Sequence, residues 1–342
     1  MEKILFLAHT EADGSLPNAA REALNAAADL ASKLGGAPLT VGLFGKDPHA
    51  AADALAGCGA AGFLAVAGAE FADSRYGTDA AAMEALVRKA APTVVIAPTT
   101  SRISRALPGV VQRVEGRIET HVSGIEAAGG TLQVQRWYYR QRMVATLSRT
   151  QRPWFLVVDS GVFPAWNGQP GTAALETVPV QLGENLSRTK VVGVQAPSTS
   201  TQTIRPDADL LFVAGAGWTK KQADGQLHLK EAEQLILGFL QKNSASLGSS
   251  KSLVDQSSEG EAVLNFMSHL NQVGQTGSTP RHPKGLATCC HGEEPHAVGW
   301  RFINERRAIN MDANCGWAQG KADVLYVADA FQVIKRVNEL LG

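Results

Sequence analysis

Short apolar runs alternate with helix-length amphipathic segments from the first residues onward, and the same alternation starts again after a polar break. Residues 3–8 (Lys-Ile-Leu-Phe-Leu-Ala) read as a strand covered on both faces. The spacing predicts a helix over 17–34, with Leu24, Ala27, Ala28, Ala31 and Leu34 on one face and Gly35-Gly36 as its stop. A strand at 39–44, a helix near 48–56, a strand at 63–66, a helix at 77–90 and a strand at 93–97 continue the series. Strands separated by helices need crossover connections, so this half implies a mainly parallel sheet between helical layers.

The pattern changes after residue 120. Residues 131–139, 142–147 and 154–159 read as three strands with no helix between them, which predicts an antiparallel extension. Residues 186–208 mix Ser, Thr, Gln, Pro and Lys and read as a linker. A new strand at 210–214 then runs into Gly215-Ala216-Gly217, followed by a helix carrying Leu235, Ile236, Phe239 and Leu240. Further strands are expected near 246–248, 286–289, 307–310 and 324–327, with a final helix over 329–341 and a loop or short helix over 256–271. The fold class expected is α/β in two domains. Residues 1–190 form a parallel-sheet domain with an antiparallel extension, 191–208 link, and 209–342 form a Rossmann-like domain.

A chain of 342 residues suits two domains. Lys and Arg number 32 and Asp and Glu 32, a balance that disfavours a protein built to grip nucleic acid. The start lacks a basic region and a long apolar region, and no apolar run reaches the roughly 18 residues of a membrane span. Four cysteines, two of them adjacent, suggest no disulfide framework. A cytoplasmic protein, not embedded in a membrane, is expected.

Four constellations stand out. Glycines after a strand at 215–217 allow a tight turn, and a following helix would offer N–H groups to phosphate. Small and amide residues at 271–279 suit either close approach to a flat heterocycle or a polar turn. Cys289-Cys290-His291-Gly292-Glu293-Glu294-Pro295-His296 holds ligand types, yet adjacent cysteines rarely close one tetrahedral site, so no metal is expected. Between Thr99 and Arg152 lie nine arginines, three glutamates and no lysine, around Trp137-Tyr138-Tyr139-Arg140. That stretch alternates like strands and favours a protein-contact or solvated face over single-stranded nucleic acid. No nucleophile elbow, phosphate-binding Walker loop or His-Glu-x-x-His is present.

These residues resemble a known family. Gln272-Val273-Gly274-Gln275-Thr276-Gly277 is identical to the flavin loop of the α subunit of electron transfer flavoproteins. Ser249-Ser250-Lys251-Ser252-Leu253-Val254-Asp255 is similar to its Ala-Ser-Arg-x-x-Val-Asp motif, and His291–His296 stands where it has Ser-Gly-Ala-Ile-Gln-His. Ala308-Ile309-Asn310-Met311-Asp312 and Val327-Ala328-Asp329-Ala330-Phe331 are similar to its last two motifs. The first half matches more loosely, through 97–102, Trp166-Asn167 and Thr172-Ala173.

The resemblance implies an electron carrier without substrate turnover, with FAD held by the second domain. It implies a heterodimer with a β subunit and a flavin-dependent donor dehydrogenase, for which an amine- or betaine-demethylating enzyme is suggested. The positions it marks are Ser250, Lys251, Gln272, Val273, Gly274, Gln275, Thr276, Gly277, His291, Gly292, Glu293, Glu294, Pro295, His296, Asn310, Asp329 and Ala330. Thr276 would face flavin N5, His296 the pyrimidine carbonyl, and Lys251 would favour one-electron steps. Ser250, Asn310 and Asp329 would hold the remaining groups.

The departures are Ala216 in place of an arginine, Lys251 in place of an arginine, Glu293 and Glu294 in place of Ala and Ile, and a longer 255–272 loop. Ala216, Glu293 and Glu294 motivate an alternative, a flavin-free scaffold of the same fold. The charge is uneven: residues 1–98 carry seven basic and eleven acidic residues, against nine and three over 99–152. The basic stretch is expected at the subunit interface.

Overall fold

A computed structural model describes residues 2–128, 131–138, 143–184, 188–193, 204–205, 208–255, 262–273, 282–288 and 303–342. The chain divides into two compact units, Met1–Val194 and Gln195–Gly342. Both are α/β.

The first unit is built on β1 (Ile4–His9), β2 (Leu39–Gly45), β3 (Gly62–Ala67) and β4 (Val94–Pro98), all parallel. Strand β1 is buried at every position. Its alternate side chains feed two cores. Ile4, Phe6 and Ala8 pack with α1 (Asn18–Lys33) and α2 (His49–Ala54). Leu5 and Leu7 pack with α3 (Tyr76–Ala90) and α4 (Ser101–Arg113). Residues buried on both faces account for the uninterrupted apolar sequence. Helix α1 ends where Gly35 and Gly36 take φ of 71° and 85° and Gly36 N–H reaches back to Ala31 O at 3.0 Å. Helix α4 starts at Thr100, whose hydroxyl accepts from Ile103 N–H at 3.2 Å.

The remaining strands are β5 (Arg117–Ala128), β6 (Thr131–Tyr138), β7 (Met143–Leu147), β8 (Trp154–Val158) and β9 (Leu175–Thr177). The sheet order is β7-β6-β5-β8-β4-β1-β2-β3-β9. The antiparallel extension is β5-β6-β7. The expectation for 154–159 is corrected: β8 runs parallel between β4 and β5 in the middle of the sheet. Its run Trp-Phe-Leu-Val-Val is buried throughout, the signature of a strand covered on both faces. Strand β5 serves both parts, pairing parallel with β8 over its first half and antiparallel with β6 over its second. It changes partner through a register shift between Glu119 and Val122, where His121 takes φ 57°.

The basic stretch is largely neutralised within its own unit. Glu119, 2% exposed, receives Arg136 at 2.8 Å and Arg149 at 2.6 Å, which fastens the extension to the sheet. Arg152 pairs with Glu2 at 2.5 Å, and Arg113 with Glu84 at 3.4 Å. Arg102 pairs with Asp79 at 2.7 Å and also donates to the carbonyls of Phe71, Ala72 and Asp73, joining α4 to α3 and the turn before it. Arg140 and Arg142 lie outside the described residues.

The second unit holds a five-stranded parallel sheet of order β11-β10-β12-β13-β14. The strands are β10 (Leu210–Ala214), β11 (Ser246–Ser249), β12 (Lys284–Thr288), β13 (Glu305–Asn310) and β14 (Val324–Val327). Phe212 and Ala214 pack toward α5 (Leu229–Asn243), together with Ile309 and Phe331. Leu211 and Val213 pack on the other face with Val273, Ile303, Cys315 and Ala318. Among the described residues, three short or late helices follow: α6 (Lys251–Asp255), α7 (Gly316–Lys321) and α8 (Ala330–Leu340).

Candidate functional site

In the second unit the chain leaves β10 for β11 on one side, then crosses to β12 on the other side of β10. Ligands of doubly wound sheets bind outside the carboxyl ends of the strands at such a reversal. The segments that emerge there are Gly215–Thr219, Ser249–Lys251, Thr288, Asn310 and Asp329.

The β11 end is tightly specified. Ser250 N–H donates to Ala214 O at 2.9 Å, and Ser250 Oγ accepts from Leu253 N–H at 3.3 Å, which starts α6. Gln272 bridges to Ser249, and Val273 N–H donates to Ser249 O at 3.0 Å. This approach requires Gly248, because a Cβ there would lie 2.6 Å from Val273 Cγ2. The 3₁₀ turn His269–Asn271 feeds the contact and is itself anchored. Asn271 Nδ2 donates to Leu247 O at 3.3 Å, and Asn271 Oδ1 accepts from Ser268 N–H at 3.1 Å.

A charged group flanks this corner. Lys251 Nζ lies 3.4 Å from Asp255 Oδ2, and His269 Nε2 lies 2.7 Å from Asp255 Oδ1. The hydrogen bond from His269, then Lys251, holds the Asp255 carboxyl below its ordinary range.

At the centre, Gly215 N–H donates to Thr288 O at 2.8 Å. The indole of Trp218 donates to Thr288 Oγ1 at 2.8 Å, and that hydroxyl donates to Val213 O at 3.1 Å. Trp218 is fully buried and stacks 4.5 Å from Phe331. The sequence-based reading of 215–217 is corrected here. A buried 3₁₀ turn, Ala216–Thr219, follows the glycine, and the next α-helix starts only at Leu229. On the far side, Asn310 Oδ1 accepts from Asp312 N–H at 2.9 Å and Ala328 N–H donates to Asn310 O at 3.1 Å. Asp329 caps α8 through Phe331 N–H at 2.8 Å.

Of the residues marked in the sequence, Ser250, Lys251, Gln272 and Val273 are brought together at the end of β11. Asn310, Asp329 and Ala330 gather at the ends of β13 and β14. Gly274, Gln275, Thr276, Gly277 and the whole of His291, Gly292, Glu293, Glu294, Pro295 and His296 lie outside the described residues. Sequence reasoning missed Trp218, Thr288 and His269. Thr288 ends a strand beside the reversal, which was a usable signal, whereas the His269–Asp255 contact joins residues 14 positions apart and had none.

The described residues present polar groups at two places along this edge. Ser249 Oγ is buried and has no hydrogen-bond partner among the described residues, a condition it shares with Thr10 Oγ1 in the first unit. The β11 cluster and the β13–β14 cluster stand three to four strand spacings apart, roughly 14–19 Å. That separation suits a ligand recognised at two ends. Among the described residues, no group of three or more His, Cys, Asp or Glu side chains is placed to hold a metal, and no helix is long and apolar enough to cross a membrane.

The first unit has its own reversal, between β1 and β4. There His9, 5% exposed, donates from Nδ1 to Thr10 O at 3.2 Å and accepts at Nε2 from Thr100 Oγ1 at 3.1 Å. Burial pushes the imidazole below its ordinary value, which matches this neutral hydrogen-bonding arrangement. Burial also pushes the Asp79 carboxyl up, against the pull of Arg102.

Fold and site together define a doubly wound, two-unit α/β protein whose second unit gathers sequence-marked residues at the carboxyl edge of its sheet. The family model for the electron transfer flavoprotein domain matches residues 4–182, and the chain belongs to that family. No curated protein matches the chain.

Proposed function

We propose that this chain is the FAD-bearing α subunit of a heterodimeric electron transfer flavoprotein. It would take electrons from a flavin-dependent dehydrogenase and pass them to a downstream acceptor. The observation that carries the reading is the convergence of Ser249–Lys251 and Gln272–Val273 at the carboxyl end of β11, where the sequence Gln272–Gly277 begins. Family membership supports electron carriage, and the buried orphan hydroxyl of Ser249 supports a bound polar group at this corner.

FAD, when bound, supplies reversible one- and two-electron chemistry. The residues of this chain bind and tune it. Lys251 presents a cation beside the β11 end, favouring added negative charge there. The backbone of 272–273 is held on β11, and Gly274–Gly277 follow it directly in the sequence. Asn310 and the α8 terminus capped by Asp329 offer polar groups to the opposite end of the ligand. The donor suggested by the sequence, an amine- or betaine-demethylating dehydrogenase, belongs to this proposal, as does the β subunit.

The test is FAD content after co-expression with the neighbouring subunit. FAD should co-purify, and Thr276→Ala with His296→Ala should release it without disassembling the heterodimer. An assembled heterodimer that ignores added FAD would favour the flavin-free scaffold instead.

A further inference from the structure

We propose that Asp255 is a positioning residue that sets the charge presented by Lys251 to the flavin, through a linked group of Lys251, Asp255 and His269. The inference rests on the FAD reading above. It concerns how easily the site accepts its first electron.

Three observations carry it. First, the cation at the end of β11 is not alone, since Lys251 Nζ shares the Asp255 carboxylate at 3.4 Å within one turn of α6. Second, the other carboxylate oxygen is held at 2.7 Å by His269 from a separate element. Third, that element is anchored by hydrogen bonds. The turn carrying His269 is closed by the reciprocal Ser268–Asn271 cap and is tied to Leu247 O in β11. Asp255 therefore connects the segment that bears Lys251 to the turn that leads into Gln272–Val273.

The charge consequence follows from Coulomb's law. A carboxylate beside a cation reduces the field the cation exerts on a third group. With His269 engaging one oxygen, less of the carboxylate is given to Lys251. Asp255 thus opposes electron uptake, Lys251 favours it, and His269 moderates Asp255. Lys251 and His269 are both substantially exposed, so the effect is screened by salt and is a tuning effect.

The measurement is the midpoint potential of the first electron on the purified complex, with FAD content and FAD affinity measured alongside. Asp255→Asn should make the first reduction easier by about threefold to tenfold in equilibrium, a tenfold change being about 59 mV for one electron. Lys251→Gln should shift it the opposite way, and the double variant should return close to the unaltered complex. Asp255→Glu should restore the original potential. His269→Leu, which removes the donor to Asp255, should make reduction harder, by less than Lys251→Gln, and all shifts should shrink at high salt.

If Asp255→Asn sheds its FAD, the opposite shift of His269→Leu carries the test. Potentials unchanged within twofold in the FAD-loaded variants would overturn the inference and leave the FAD reading intact. A shift of Asp255→Asn in the same direction as Lys251→Gln would also overturn it, since that is the mark of a merely loosened site. An unaltered complex that holds no FAD would overturn both.

Discussion

The two units are variations on one doubly wound plan, yet they use their charged residues in opposite ways. In the first, charge is turned inward. Arg102 closes on Asp79, Arg136 and Arg149 close on Glu119, and Arg152 closes on Glu2. At its sheet reversal, His9 and Thr100 hydrogen-bond each other, although the neighbouring Thr10 hydroxyl, like that of Ser249, is buried with no partner among the described residues. In the second unit, the corner at the end of β11 keeps a half-exposed lysine, a shared carboxylate and a buried serine hydroxyl with no partner among the described residues. A count of charges along a sequence therefore says little about a binding face. What matters is whether each charge already has a partner that also fixes its position.

Breaking the inward charge of the first unit should have the largest effect. Arg102→Ala strands a buried carboxylate and frees three carbonyls, so it should cost about 3–5 kcal/mol in denaturant unfolding of the complex. Lys251→Ala, which breaks a surface pair, should change the same stability by no more than about 1 kcal/mol. Equal losses would erase the contrast between the units. Trp218→Ala should cost a comparable 3–5 kcal/mol, because the indole is fully buried against Phe331. Trp218→Phe should recover most of that loss, leaving the cost of the missing bond to Thr288, about 1 kcal/mol.

Smaller effects sharpen the comparison at the two edges. Asp329→Ala removes the cap of α8 and should cost about 1 kcal/mol, whereas Asp329→Asn should cost less. The buried His9 supplies a pH test. Its folded-state value lies below the ordinary value of about 6.5, so the unfolded chain binds the extra proton first. Stability contributed by the neutral imidazole is full above about pH 6.5 and is lost as pH falls toward the folded-state value. Unfolding midpoints measured from pH 7.5 down to 5 should show this fall, and His9→Asn should flatten it.

Much of the architecture was legible because it rests on periodicity. The apolar run of β1 and the glycine stop after α1 stand where the sequence puts them, and so does β14. The errors have physical causes. Strand β8 was read as antiparallel because no helix precedes it, although its unbroken apolar run already marked a central strand. Strand β5, rich in charged and polar residues, gave no clear alternation, because its Glu119 is buried by two arginines that arrive from later in the chain.

The site divides in the same way. Local motifs, such as the serine pair before Lys251 and the Asp329 cap, could be marked from the sequence. The His269–Asp255 contact and the Trp218–Thr288 bond depend on where separate segments meet.

The most direct test of the central proposal is the visible absorption spectrum of the purified heterodimer, recorded before and during stepwise anaerobic reduction. A FAD site at the carboxyl edge of the second unit predicts a yellow complex with stoichiometric FAD that bleaches reversibly, and loses its colour with Thr276→Ala and His296→Ala. A colourless, correctly assembled heterodimer that takes up no added FAD would contradict it.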